Sequence, residues 1–192
     1  EPPRSQVTQD ELSVLLKYSQ GTRTIVELGC NEGRTSAALA MRSVASVYSV
    51  DIFTKGRLGI SYAEWIAKIH RNRVGAKNLY FLKGLTSEVA RDFDKQIDLL
   101  FIDADHSYEA VTADWDLWVP KVSNGGIVAM HDCRIAKNSR YYLGSMRFYE
   151  QVVPKLNGVE ELEAVDSLTI LRINQHQAIS SATCPRNRQG IA

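Results

Sequence analysis

Thr24-Ile-Val-Glu-Leu-Gly-Cys-Asn-Glu-Gly33 is the stretch on which the fold turns. Thr24 to Leu28 is short and β-branched, the composition of a strand. Gly29 to Gly33 is a tight turn, and the Ala-rich run from Thr35 to Met41 reads as a helix. The same rhythm continues downstream. Ser46 to Asp51 reads as a second strand ending on an acid, and Tyr62, Trp65, Ile66 and Ile69 have the spacing of a helix with one apolar face. Leu79 to Leu82 is a third strand and Thr86 to Phe93 a short helix. Ile97 to Ile102 is almost unbroken apolar sequence, as in a central parallel strand covered on both faces. Tyr108, Val111, Trp115 and Trp118 form the next amphipathic helix, stopped by Pro120, and Gly126 to Met130 is a fifth strand. Cys133 to about Ser145 reads as a loop. Phe148, Val152 and Val153 suggest a helix, and Val159 to Val165 and Ser167 to Ile173 two final strands. Upstream, Thr8-Gln-Asp-Glu11 is a capping box ahead of Leu12, Leu15 and Leu16, with Gly21 ending that helix. Strands alternating with helices predict an α/β domain with a parallel sheet and right-handed crossovers. Its ligand belongs beyond the carboxyl ends of the strands.

Composition narrows the classes. The chain has 192 residues, 44% hydrophobic and 23% charged, which suits one domain with a real core over residues 1–173. Past Asn174 it turns polar, and residues 174–192 read as a loose tail. The 23 basic and 22 acidic residues leave a net charge of +1, so no nucleic-acid partner is expected. No apolar run approaches the roughly 20 residues needed to span a bilayer. No signal segment opens the chain. It begins at Glu1 and not at Met, which leaves the natural start open. The three cysteines, Cys30, Cys133 and Cys184, lack paired ligand spacing and suit a reducing, cytoplasmic setting.

The spacing after the first strand is G-x-x-x-G, not the G-x-G-x-x-G of dinucleotide-binding sheets. Glu27 and Glu32 bracket the turn. A carboxylate pair there would repel a pyrophosphate and welcome an ammonium or sulfonium group. Asp51 is placed to accept from ribose hydroxyls. A nucleoside with a cation and no phosphate describes S-adenosylmethionine.

Val26-Glu-Leu-Gly-Cys-Asn-Glu-Gly33 followed by Asp51 resembles the first motif of class I S-adenosylmethionine-dependent methyltransferases. The resemblance covers about residues 22 to 173. It implies a Rossmann-like, doubly wound, mostly parallel seven-stranded sheet with the last strand antiparallel and helices on both faces. It also implies a cofactor site. Glu27 would lie under the turn, and Gly29, Cys30, Asn31 and Gly33 would line the cofactor with backbone. Thr35 and Ser36 would take its carboxylate, Asp51 its ribose, and Ile52 the adenine face, with Asp103 also facing it. Leu85 and Thr86 would approach the adenine edge, where many relatives carry an acid.

The fourth strand runs into Asp103-Ala-Asp-His106 and the fifth into His131-Asp132. Three carboxylates and two imidazoles in one crevice call for a cation. An oxygen-rich set with at most one imidazole favours Mg²⁺ first and Mn²⁺ second. Such an ion would lower the pKa of a substrate hydroxyl, and His106 would remove its proton. Phe101-Ile-Asp-Ala-Asp-His-Ser-Tyr-Glu109 with Gly126-Ile-Val-Ala-Met-His-Asp132 is similar to the metal-dependent sugar and small-molecule O-methyltransferases, including macrolide-sugar and polysaccharide-modifying enzymes. That likeness implies metal ligands at Asp103, His131 and Asp132 and a base at His106. His131 departs from the pattern, where relatives tend to have a carboxylate.

Other residues have two readings. Asp105 either serves the site or caps the helix beginning near Ser107. Trp115 and Trp118 are expected to pack, and Cys30 and Cys133 to carry no chemistry. Arg134, Lys137, Arg140 and Arg147 with Tyr141 and Tyr142 either overhang an acceptor pocket or form a solvated lid. Lys55 to Ser61 is a candidate flap with Gly56 and Gly59. The expectation is an O-methyltransferase using S-adenosylmethionine and a divalent metal on a sugar or other small hydroxylated acceptor. The alternatives are an enzyme acting on RNA or protein, and a binding-only domain. A homo-oligomer stays open.

Overall fold

The computed structural model describes residues 3–134 and 141–174. Lys137, Arg140, Cys184 and the tail from 175 onward lie outside the described residues. The order of elements is α1 (Gln9–Tyr18), β1 (Thr24–Leu28), α2 (Arg34–Arg42), β2 (Ser46–Asp51), α3 (Tyr62–Val74), β3 (Leu79–Lys83), α4 (Thr86–Asp92), β4 (Ile97–Ile102), α5 (Tyr108–Trp118), β5 (Val122–Met130), α6 (Gly144–Gln151), β6 (Val159–Val165) and β7 (Leu168–Ile173). The Thr8–Glu11 capping box opens α1, with both of its reciprocal bonds present. Pro120 sits in a short 3₁₀ turn after α5. β5 starts at Val122 and not at Gly126, because Val122 already pairs with Ile97 ahead of a register shift.

The seven strands lie in the order β3-β2-β1-β4-β5-β7-β6. β1 pairs parallel to β2 on one side and β4 on the other, so strand order reverses there and a crevice opens above their carboxyl ends. β7 runs antiparallel to both β5 and β6. The core divides by strand periodicity. Val26, Leu28, Leu100, Ile102 and Val128 face α4, α5 and α6 through Ala90, Trp115, Trp118 and Phe148. Ile25, Val47, Leu99, Phe101 and Ala129 face the other way, onto α1 and α2 through Leu15, Ala37 and Leu39. This is the doubly wound α/β architecture expected. No helix among the described residues is long and apolar enough to cross a membrane.

One expected face is reversed. Tyr62, Trp65 and Ile69 of α3 are exposed, Trp65 at 60%, and only Ala67 of that helix is buried. Small residues make the contact instead: a Cβ on Gly33 would lie 3.0 Å from the Ala67 Cβ. α3 therefore docks on α2 through its Ala side, and the aromatic stripe points outward. Trp118, by contrast, is fully buried. Trp118→Ala should cost about 3–5 kcal/mol, whereas Trp65→Gln should stay within about 0.5 kcal/mol. Urea melts of the two variants check this, and equal losses would contradict the packing of α3.

Candidate active site

The crevice is shaped first by backbone. Gly29 has φ +90°, and a Cβ there would overlap the Asp103 carbonyl, so the ends of β1 and β4 can approach only through glycine. Asn31 is also left-handed, at φ 49°. Asp51 fixes the turn from the neighbouring strand. Its Oδ2 accepts from the backbone N–H of Cys30 at 2.8 Å and of Asn31 at 2.9 Å, and its Oδ1 from Phe53 N–H at 2.7 Å. A carboxylate has lone pairs left after three such bonds, enough for hydroxyl donors in the crevice.

The two glutamates of the turn do not act as a pair of free charges. Glu32 turns away, and Arg4 holds it with its backbone N–H at 2.6 Å, its Nε–H at 2.7 Å and Nη2 at 2.6 Å. Glu27 lies beneath the turn, buried, with its Oε2 accepting from the hydroxyls of Ser36 and Ser49, the latter at 2.5 Å. Burial, only partly offset by those hydroxyls, pushes its carboxyl up to about 8. Glu27 is therefore mostly neutral at pH 7, which corrects the expected attraction of a cation by paired carboxylates.

A cavity of about 610 Å³ opens on the turn. Of the expected residues, Glu27, Gly29, Cys30, Asn31, Thr35, Asp51, Ile52, Leu85, Thr86, Asp103 and His106 line it. Gly33, Ser36, His131 and Asp132 do not. Gly33 is the left-handed N-cap of α2 and faces α3, and Ser36 is drawn below the turn to Glu27. They shape the site without bordering it. Sequence reasoning missed Arg4, Ser5, Gln6 and Arg34, which also line the cavity. Nothing local marks Arg4 and Ser5, since their partners Glu32 and Thr35 are distant in sequence. Thr86 is supported from below: its carbonyl accepts from Trp118 Nε1–H at 3.2 Å. Asp114 of α5, buried beside the Thr86 side chain, has its carboxyl pushed up to about 6, chiefly by burial.

Asp103 belongs to the cavity wall, and there β4 and β5 bring Asp103, His131 and Asp132 together, one ligand atom from each lying within 4.8 Å of the others. His131 Nδ1 is 2.9 Å from Asp103 Oδ1 and 3.3 Å from Asp132 Oδ2, yet it is buried and has no hydrogen-bond partner among the described residues. Its Nε2 lies 3.1 Å from Glu11 Oε2. Burial opposes a charge on this ring, but the carboxylates of Asp103, Asp132 and Glu11 close around it outweigh burial and raise the imidazole to about 12. His106 reaches in from the cavity side, its Nε2 3.4 Å from Asp132 Oδ2. Asp105 orders its own turn by accepting from Ser107 N–H at 2.8 Å, while Ser107 is the cap of α5.

Arg134 is engaged by Thr169 at 2.7 Å, Tyr149 at 2.7 Å and Glu161 at 2.5 Å, on the β6–β7 side, so it does not reach over the cavity. Arg147 stacks over the Tyr108 ring at 4.6 Å, and Tyr142 donates to Glu150. The 55–61 flap is closed on itself by Gly56 N–H to Ile60 O at 3.0 Å.

Glu27 makes stability depend on pH. Below about pH 4.5 folded and unfolded chains both hold its proton; between there and about pH 8 only the folded chain does. This group's contribution to stability therefore falls as pH rises across that window, by about 1.4 kcal/mol per pH unit at most, and levels off above it. Glu27→Gln should fall less than wild type between about pH 5.5 and 8.5 in urea melts. An identical fall in both proteins would contradict a protonated Glu27.

Comparison with known proteins follows the same lines. The "Uncharacterized protein y4gI" of Sinorhizobium fredii is 28% identical over 131 residues, 64% of this chain, which spans only 14% of that relative's length. An O-methyltransferase from Bacillus cereus, solved in complex with SAH, superposes with a TM-score of 0.64 at 19% identity, covering 90% of this chain and 84% of that one. An rRNA methylase from Streptococcus thermophilus superposes with a TM-score of 0.64 at 12% identity, covering 89% and 98%. At these identities the likeness is one of fold. A family profile described as a methyltransferase domain matches residues 26–133, from β1 past the end of β5. That span is more than half of the chain and holds the glycine turn, Asp51 and the Asp103–Asp132 cluster, so the chain belongs to this methyltransferase-domain family.

Proposed function

We propose that this protein is an O-methyltransferase that methylates a hydroxyl of a sugar or another small hydroxylated acceptor, with a divalent cation held by Asp103, His131 and Asp132. One observation carries the metal reading: a buried imidazole nitrogen with no hydrogen-bond partner among the described residues lies between two carboxylates, one of them Asp103 of the cavity wall. Two acceptor oxygens facing a nitrogen lone pair repel unless a proton or a cation lies among them. Two carboxylates and one imidazole suit Mg²⁺ or Mn²⁺, and the nitrogen donor favours the latter. The even charge of the chain supports a small acceptor over RNA.

When bound, the cofactor supplies an electrophilic methyl group, and the cation supplies charge that lowers the pKa of the acceptor hydroxyl. The protein's own residues do the rest. Asp51 holds the ribose hydroxyls, and Gly29, Cys30 and Asn31 present backbone. Ile52, half exposed at the cavity mouth, covers the adenine, with Leu85 and Thr86 at its edge. Thr35 and Arg34 face the carboxylate end. His106 takes the hydroxyl proton, and Asp132, 3.4 Å from its Nε2, stabilises the imidazolium formed. The unpaired thiols of Cys30 and Cys133 support action in a reducing, cytoplasmic compartment.

His106→Ala should lower turnover by about 10²- to 10⁴-fold and change S-adenosylhomocysteine affinity by less than about threefold. Transfer of labelled methyl to a panel of sugars and phenols, before and after chelation, reads both parts. Activity should vanish with chelation and return with Mg²⁺ or Mn²⁺. Full activity after chelation would remove the cation, and an unimpaired His106→Ala enzyme would remove the base.

A further inference from the structure

We propose that Glu11 is a positioning residue of the metal site: it takes the Nε2–H of His131 and so leaves Nδ1 as the donor to the ion. This rests on the metal reading above. The sequence presents Glu11 as the third helical residue of a capping box, a role that needs one oxygen at a solvent-exposed helix start. The structure gives it more. Glu11 is 1% exposed. Its Oε2 accepts from Thr8 N–H at 2.8 Å and lies 3.1 Å from His131 Nε2. Its Oε1 accepts from Ser167 N–H at 2.9 Å and Ser167 Oγ–H at 2.8 Å. Three parts of the fold therefore converge on one carboxylate: the start of α1, the turn between β6 and β7, and the end of β5.

The consequence for the ring is chemical. A carboxylate already accepting from three other donors has nothing to donate, so the nitrogen facing it carries hydrogen. In the neutral ring that fixes the Nε2–H tautomer and places the lone pair on Nδ1. Nδ1 is the atom that faces Asp103 and Asp132 and has no hydrogen-bond partner among the described residues. Phe101 packs its ring edge-to-face on His131 at 6.1 Å, which further restricts ring rotation. Carboxylate, imidazole and ion in series is the arrangement by which an outer acceptor orients a histidine ligand and strengthens it as a donor.

The test is Mn²⁺ binding by calorimetry to the whole chain, in wild type, Glu11→Ala, Glu11→Gln and Thr8→Ala. Glu11→Ala should weaken Mn²⁺ by about 10- to 100-fold, and Glu11→Gln, which keeps an acceptor, by less. Thr8→Ala removes the cap but not the contact with His131. It should lower the melting temperature while leaving Mn²⁺ affinity within about threefold. If Glu11→Ala does not fold, Glu11→Gln decides: its Mn²⁺ affinity should fall, and ¹⁵N spectra of the Mg²⁺-loaded wild type should show Nδ1 as the ligated nitrogen and hydrogen on Nε2. Unchanged Mn²⁺ affinity in the Glu11 variants overturns this inference alone. No Mn²⁺ binding to wild type overturns the metal reading, and this inference with it.

Discussion

A buried imidazole held among three carboxylates is the constraint around which the site is organised. Asp103 and His131 are neighbours because β4 and β5 pair in register to Ile102 and Met130, and His131 N–H continues that ladder to Ile102 O at 3.0 Å. His131 cannot withdraw to water, since its side chain is 2% exposed. Positive charge at this point is the condition for stability. In the chain alone a proton on His131 supplies it, and a divalent ion on Nδ1 would do the same with more charge.

The cofactor crevice and this cluster share a wall. Gly29 lies against the backbone of Asp103 so closely that no side chain fits, which brings the glycine turn to the edge of the acidic cluster. The amino-terminal segment ties the two halves together on the outside. Arg4 and Ser5 reach Glu32 and Thr35 at the turn, and Glu11 reaches His131 at the cluster. A segment that reads as a helix cap and little more is thus in contact with both ends of the site.

What was legible in the sequence follows from the range of each signal. Period-two apolar runs and glycine punctuation are local, so β1, β2 and β4 lie where the residues put them, and Asp51, Asp103 and His106 face the crevice because strand ends must. Charge partners are not local. Glu32 reads as a free acid until Arg4, 28 residues away, is seen to bind it. Glu11 meets His131 across 120 residues, beyond any spacing rule. Glu27 carries a formal charge in the sequence that burial removes in the fold. Trp65 and its neighbours share helical spacing with a buried face, but periodicity does not say whether a stripe is covered, and Ala67 made the contact instead.

The most direct measurement is an anomalous-difference map of a crystal grown with Mn²⁺ and S-adenosylhomocysteine. A single strong peak in contact with Asp103, Asp132 and the Nδ1 of His131, with the nucleoside ribose on Asp51, is the expected result. A map in which Nδ1 hydrogen-bonds to Asp103 and the manganese lies elsewhere, or nowhere, would contradict it.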